Sequence, residues 1–275
     1  MSSIPKVIDI DKVFRDKNPT LHRWMPNFIL NYIKKVVHQD DMNDFLHRHH
    51  DAYDLDFVQA ILTDFKIELR VHGLENIPKE GGAIVASNHP LGGLDSVALI
   101  NSVAKVRPDL KFLVNDILMG LYPMAKLFVP VNKHGVNSSD IRKGVDDMFS
   151  SDNMSLIFPA GMVSRKQEGV IKDLEWKKTF IFLAKRHQRN VIPVYISGEN
   201  SRFFYRLSNF RRKLGIKWNI EMLFLVDQLY QQRGKSLDIV IGKPFLYTDF
   251  TKDKRDQVWA DLVRERIYTL ASTLK

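Results

Sequence analysis

Residues 82–100 read GAIVASNHPLGGLDSVALI. A short apolar run leads into a turn rich in Pro and Gly, and a second apolar stretch follows. A continuous apolar run of this length fits a buried strand, and the stretch after Asp95 is expected to be a helix reaching about residue 106. In a parallel sheet, chemistry gathers at the carboxyl ends of strands. His89 stands at that place, with Asp95 six residues on. Gly92 and Gly93 let the backbone turn tightly beside the imidazole. A carboxylate against one ring nitrogen orients the ring and stabilises the imidazolium, and the other nitrogen takes a proton from a hydroxyl. On these residues alone the structural alternative leads: a histidine in a turn and an aspartate that caps a helix.

Outward from this unit, strands and helices alternate. KIELRV (66–71), LKFLVN (110–115), LFVPVN (127–132), MSLIFPAG (154–161), VIPVYISG (191–198) and SLDIVIGKPF (236–245) read as strands or strands ending in turns. Helices are expected over SSDIRKGVDDMFS (138–150), EWKKTFIFLAKRHQ (175–188) and the C-terminal RDQVWADLVRERIYTLASTL (255–274). This order predicts an α/β fold with a mixed, largely parallel sheet flanked by helices. Before it, residues 21–39 carry Trp24, Phe28, Ile29, Tyr32, Ile33 and Val36 as one apolar stripe, so a single helix is expected there, packed mainly on the core. Two more helices are expected over residues 40–49 and 53–65. The division expected is an N-terminal helical region, 1–65, on an α/β domain, 66–275.

The strand-end pattern recurs. IFPAGMVSR (157–165), LFVPVNKHG (127–135) and VIPVYISGENSR (191–202) each pair an apolar strand with a turn and a cation. Lys133, Arg165 and Arg202 can therefore surround one anionic ligand, although each alone is more often a solvated charge.

The order NHP…D, VPVNK, FPAG, VIPV resembles the four sequence blocks of the glycerolipid acyltransferases, the 1-acylglycerol-3-phosphate acyltransferase superfamily. The resemblance spans roughly residues 69–202. Five residues separate His89 from Asp95 where the family has four, Ala160 stands in place of Glu, and Lys133 replaces an Arg. Arg165 lies two positions beyond the place of the usual third-block Arg. The Gly-Gly and Phe-Pro-Ala-Gly variants are similar to a bacterial branch of ornithine and glycine lipid O-acyltransferases and haemolysin-like proteins. The resemblance implies transfer of a fatty acyl group from an acyl carrier protein or coenzyme A thioester to the hydroxyl of a lyso-lipid. That acceptor is a lyso-amino-acid lipid or a 1-acylglycerol-3-phosphate. His89 and Asp95 would be catalytic, and Lys133, Gly161, Ser164, Arg165 and Arg202 would bind substrate. No cofactor or metal is implied. The alternative is a non-catalytic lipid- or nucleic-acid-binding protein that keeps the fold.

Composition fits this range. Hydrophobic residues make up 44% of the 275 and charged residues 27%, enough for an ordinary core. There is no Cys, which excludes thiol chemistry and a Cys-based zinc site. HRHHD (47–51) has helical spacing for a metal but no distant partner cluster, so an exposed helix end is the expectation. The net charge of +9 favours anionic partners. No run nears the ~20 apolar residues that span a bilayer, and the first residues lack the pattern of a secretory signal. A peripheral place on the cytoplasmic face of a membrane is therefore expected. The segment 201–218 interleaves aromatics with Arg and Lys, and Arg206, Phe210, Arg211, Arg212 and Lys213 are the expected contacts with an anionic membrane surface. Nucleic acid is not the expected partner.

Overall fold

The computed structural model describes residues 7–131 and 138–274. Its elements run α1 (Ile10–Lys17), α2 (Pro19–Trp24), α3 (Asn27–Val36), α4 (Gln39–Arg48) and α5 (Asp54–Asp64). Then come β1 (Glu68–His72), β2 (Ala83–Ser87), α6 (Gly93–Ala104), β3 (Leu110–Asn115), β4 (Phe128–Val131), α7 (Ser139–Ser150) and β5 (Met154–Ile157). They continue as β6 (Arg165–Gln167), β7 (Val170–Lys172), α8 (Thr179–His187), β8 (Asn190–Ile196) and α9 (Arg202–Lys213). The last are α10 (Leu225–Tyr230), β9 (Ser236–Ile241) and α11 (Asp256–Leu270).

Seven strands form one sheet in the order β1-β9-β8-β2-β5-β3-β4. β8, β2, β5, β3 and β4 run parallel, as do β1 and β9, and the two blocks meet antiparallel at β8 and β9. The sheet is mixed and largely parallel, as the alternation of elements requires. β2 and β5 are buried at every position because helices cover both faces, which is why their sequences are continuous rather than alternating. Ile84 and Ala86 of β2 pack with Ile181 and Ala184 of α8 and with Ala260, Val263 and Ile267 of α11. At the amino ends of three parallel strands, Arg107 joins the loops together. Its guanidinium donates to Asp109 and to the backbone carbonyls of Pro78, Gly81 and Asp152. That leaves the carboxyl ends for the site.

The chain divides into two compact units. One holds Tyr53–Asn200 and Arg233–Lys275, and the other Met1–Ala52 and Ser201–Gln232. This division is discontinuous, unlike the break at 65/66 expected from sequence. α5 groups with the sheet and the basic-aromatic segment groups with the N-terminal helices.

In the smaller unit the single helix expected over 21–39 is replaced by α2 and α3. Pro26, extended at φ −60°, ψ 140°, is the N-cap of α3. It has no N–H to donate and disfavours helical backbone at Met25, so the helix cannot run through it. The core packing expected for the apolar stripe is also corrected. Trp24 and Phe28 are 79% and 73% exposed and Tyr32 is exposed; of the stripe only Val36 is buried, and Leu30, outside the stripe, is the other buried residue of α3. Ser201 caps α9 by accepting from the Phe204 N–H. On α9, Phe210 is exposed, as are Arg206, Arg212 and Lys213. Arg211 departs from the expected membrane set. It is buried, with Nε 2.9 Å from Glu221 Oε2 and Nη1 donating to the Ile216 carbonyl. The fully buried Glu221 carboxylate draws it inward.

Candidate active site

The site grows from the carboxyl end of β2, the strand between β5 and β8. Beyond Ser87 the backbone leaves the sheet, and the Asn88 side chain continues the ladder. Its Oδ1 accepts from the Ile196 N–H at 2.7 Å and its Nδ2 donates to the Ile196 carbonyl at 2.9 Å. Asn88 thus fixes the point from which His89 projects. The Asn200 amide donates to the Pro90 carbonyl at 3.0 Å and holds the next residue.

Gly92 makes the turn, at φ 95°, ψ −126°, a backbone state open essentially to glycine. The turn brings Asp95, third residue of α6, back beneath His89. Asp95 Oδ2 accepts from His89 Nδ1 at 2.9 Å, from the Leu91 N–H at 2.7 Å and from the Gly92 N–H at 2.9 Å. Asp95 is therefore both the helix cap and the partner of His89, and the two readings of the sequence coincide in one carboxylate. It is fully buried, and burial pushes its carboxyl up, against the opposing pull of His89 and the two backbone N–H groups. The His89 side chain is 16% exposed and its ring stacks on Phe158 at 4.1 Å and 15°. Phe158 in turn meets Phe112 edge-on, so the imidazole rests on the core of the sheet. With Nδ1 engaged by Asp95, Nε2 is the nitrogen left to take up a proton.

The turn after β5 supplies the second wall. Gly161 is exposed and left-handed (φ 63°), and the Lys177 ammonium lies 3.7 Å from where a Cβ on Gly161 would stand. The Lys177 N–H donates to the Pro159 carbonyl at 3.0 Å, which keeps this lysine at the turn. Ser164 and Arg165, expected at a substrate surface, are both buried at 2% exposure. The Ser164 N–H donates to the His89 carbonyl and its hydroxyl to Asp173, and Arg165 donates to the carbonyls of Val163 and Ser164. They do not lie at the surface where the sequence reading set them. Their polar atoms satisfy the loop around His89 instead. Lys133 lies outside the described residues. Arg202 opens α9 in the smaller unit and is exposed, whereas His89 belongs to the larger one. Among the described residues, no group of three or more His, Asp or Glu is arranged to hold a metal.

A profile of the acyltransferase family matches residues 12–275. The chain is 44% identical over 265 residues to a lyso-glycine lipid O-acyltransferase of Bacteroides thetaiotaomicron, covering 96% of this chain and 97% of that one. The chain belongs to the acyltransferase family.

A second lyso-glycine lipid O-acyltransferase, from Phocaeicola vulgatus, is 42% identical, over 96% of this acyltransferase and 95% of its own length. The crystal structure of a 1-acyl-sn-glycerophosphate acyltransferase from Thermotoga maritima matches with a TM-score of 0.50 at 17% identity, covering 90% of this chain and 92% of that one. At that identity the match speaks for the fold. Sequence reasoning singled out His89 and Asp95 in this acyltransferase, which the fold pairs, and did not single out Asn88, Phe158, Asp173 or Lys177 in the loops around them. Asn88 and Phe158 stand inside the quoted blocks and could have been found there. Asp173 and Lys177 follow a β6–β7 hairpin that no periodicity announces.

Proposed function

We propose that this acyltransferase transfers a fatty acyl group from an acyl thioester to the hydroxyl of a lyso-glycine lipid, with His89 as general base. The observation that carries the chemistry is the 2.9 Å pairing of His89 Nδ1 with buried Asp95 at the end of β2. Nε2 accepts the proton of the acceptor hydroxyl as its oxygen attacks the thioester carbonyl. The C–O bond forms, the tetrahedral intermediate collapses with cleavage of C–S, and the thiolate leaves with the proton returned from the imidazolium. No acyl-enzyme is needed. The Leu91 and Gly92 N–H groups are committed to Asp95, so they do not serve the oxyanion.

Two lines support the acceptor. Both relatives at above 40% identity carry the name lyso-glycine lipid O-acyltransferase and are matched over nearly their whole length. A glycine headgroup that keeps its carboxylate would meet the exposed Lys177 ammonium beside Gly161. The donor, an acyl carrier protein or coenzyme A thioester, is decided by assaying both. No described helix is long and apolar enough to cross a membrane. The smaller unit meets the bilayer through Trp24, Phe28, Phe210 and Trp218, with Arg206, Arg212 and Lys213 facing anionic headgroups.

The test is turnover with purified protein, both donors and a set of lyso-lipids. His89→Ala is expected to lower kcat by about 10²–10⁴-fold, the range for loss of a general base. Folded His89→Ala with near-normal turnover would end this mechanism, and a preference for lysophosphatidate over lyso-glycine lipid would end the acceptor assignment.

A further inference from the structure

A second buried carboxylate lies at this end of the sheet and takes no part in the chemistry described. Asp173 is 1% exposed and sits in the segment between β7 and α8, 84 residues from His89 in sequence. Four groups converge on it. Its Oδ1 accepts from the His89 backbone N–H at 3.2 Å and from the Ser164 hydroxyl at 2.5 Å. Its Oδ2 accepts from the indole N–H of Trp176 at 2.9 Å, and its own N–H donates to the Tyr268 hydroxyl of α11 at 2.7 Å. Trp176 is fully buried and Tyr268 largely so, which leaves Asp173 little freedom to move. The Ser164 N–H, in the same loop, donates to the His89 carbonyl at 2.7 Å.

From this geometry we infer that Asp173 is a positioning residue of the acyl-transfer reaction, which sets the height and direction of His89 by gripping its peptide N–H. The N–H and C=O of His89 are both taken by the segment from Ser164 to Asp173, and the ring by Asp95 and Phe158. The imidazole is thus fixed from two sides by elements far apart in the chain. A carboxylate is expensive to bury, and burial pushes that of Asp173 up against the pull of its hydrogen-bond donors. The loop could have been closed by an apolar side chain. What the carboxylate adds is acceptor capacity for three donors at once, one of them the backbone of the base. Rate is sensitive to the placement of the base, so a shift of about 1 Å suffices for a ~10²-fold loss. Substrate binding is less so, because the Asp173 side chain is itself buried.

This inference rests on His89 being the base, so His89→Ala is assayed beside it. Asp173→Ala is expected to lower kcat by about 10²-fold with the acceptor KM held within about twofold. Asp173→Asn keeps a carbonyl oxygen for His89 and Ser164 and is expected to fall between the alanine variant and the wild type. Circular dichroism and a thermal melt establish folding. An inactive His89→Ala beside a folded Asp173→Ala of unchanged kcat would overturn the positioning role and leave His89 standing. An active His89→Ala would remove the base and this inference with it. A rise in KM that matches the fall in kcat would show general loosening and also overturn the role. If both Asp173 variants fail to fold, Ser164→Ala decides. It removes one donor from Asp173 and should lower kcat by about tenfold at constant KM; unchanged kcat there overturns the role.

Discussion

Under the proposed function, Lys177 is the cation beside the acceptor headgroup. From sequence, the cations at strand ends were Lys133, Arg165 and Arg202. Arg165 is turned into the loop, and the ammonium beside the Phe-Pro-Ala-Gly turn belongs to a lysine sixteen positions past Gly161. Lys177→Ala should therefore raise the acceptor KM several-fold, since an exposed charge pair is worth roughly 0.2–1 kcal/mol and more when a bound lipid excludes water. The donor KM should stay near its wild-type value. Steady-state kinetics with each substrate varied in turn checks this, and an equal rise in both constants would count against the placement. The pair His89 and Asp95 was legible because both lie in one turn of sequence, where spacing alone brings them together. Asp173 and Lys177 were not, because only the folded hairpin carries them there.

The turn between β2 and α6 separates the two glycines that sequence treated alike. Gly92 holds a positive φ and its N–H donates to Asp95, whereas Gly93 has no positive φ and open space where a Cβ would go. Gly92→Ala should cost about 1–3 kcal/mol of backbone strain and displace Asp95. Gly93→Ala, at the first position of α6, should leave stability unchanged or raise it by up to about 1 kcal/mol. Denaturant titration of both variants settles it, and equal destabilisation would sink the distinction. Other elements were legible to different degrees for the same kind of reason. β2, β5 and β8 announce themselves as apolar runs because helices bury both faces. β6 and β7, three residues each, offer too short a run to show any period. The α2–α3 break was written in Pro26 and was outweighed by a continuous apolar stripe, although most of that stripe is exposed rather than packed.

The segment 201–218 carries six Lys and Arg and no acid, part of a net charge of +9. Its exposed aromatics, with Trp218 83% exposed, stand among Arg206, Arg212 and Lys213. Each basic residue near an anionic membrane contributes about 1 kcal/mol, so these three supply roughly 3 kcal/mol. Their triple replacement by Gln should weaken sedimentation with anionic vesicles while the thermal melt stays unchanged. Wild-type binding should fall with salt, as the Debye length drops from about 10 Å at 0.1 M to about 3 Å at 1 M. Equal sedimentation with neutral and anionic vesicles would contradict this surface. Arg211→Gln should behave differently, lowering the melting temperature by removing the cation paired with buried Glu221. The sequence placed these residues on one basic segment but could not tell the paired arginine from its solvated neighbours, since the partner is ten positions away.

β8 and β9 are antiparallel neighbours, yet the chain between them makes a long detour through α9 and α10 before it returns. A tight hairpin would join the same two strands in a few residues. Loop-closure entropy grows only with the logarithm of length, so a detour of roughly forty residues costs about 2 kcal/mol more than a short turn. The toll barely depends on what the detour contains. The excursion can therefore change in length at its exposed turns while the strands on either side keep their register and the turn that holds His89 stays as it is.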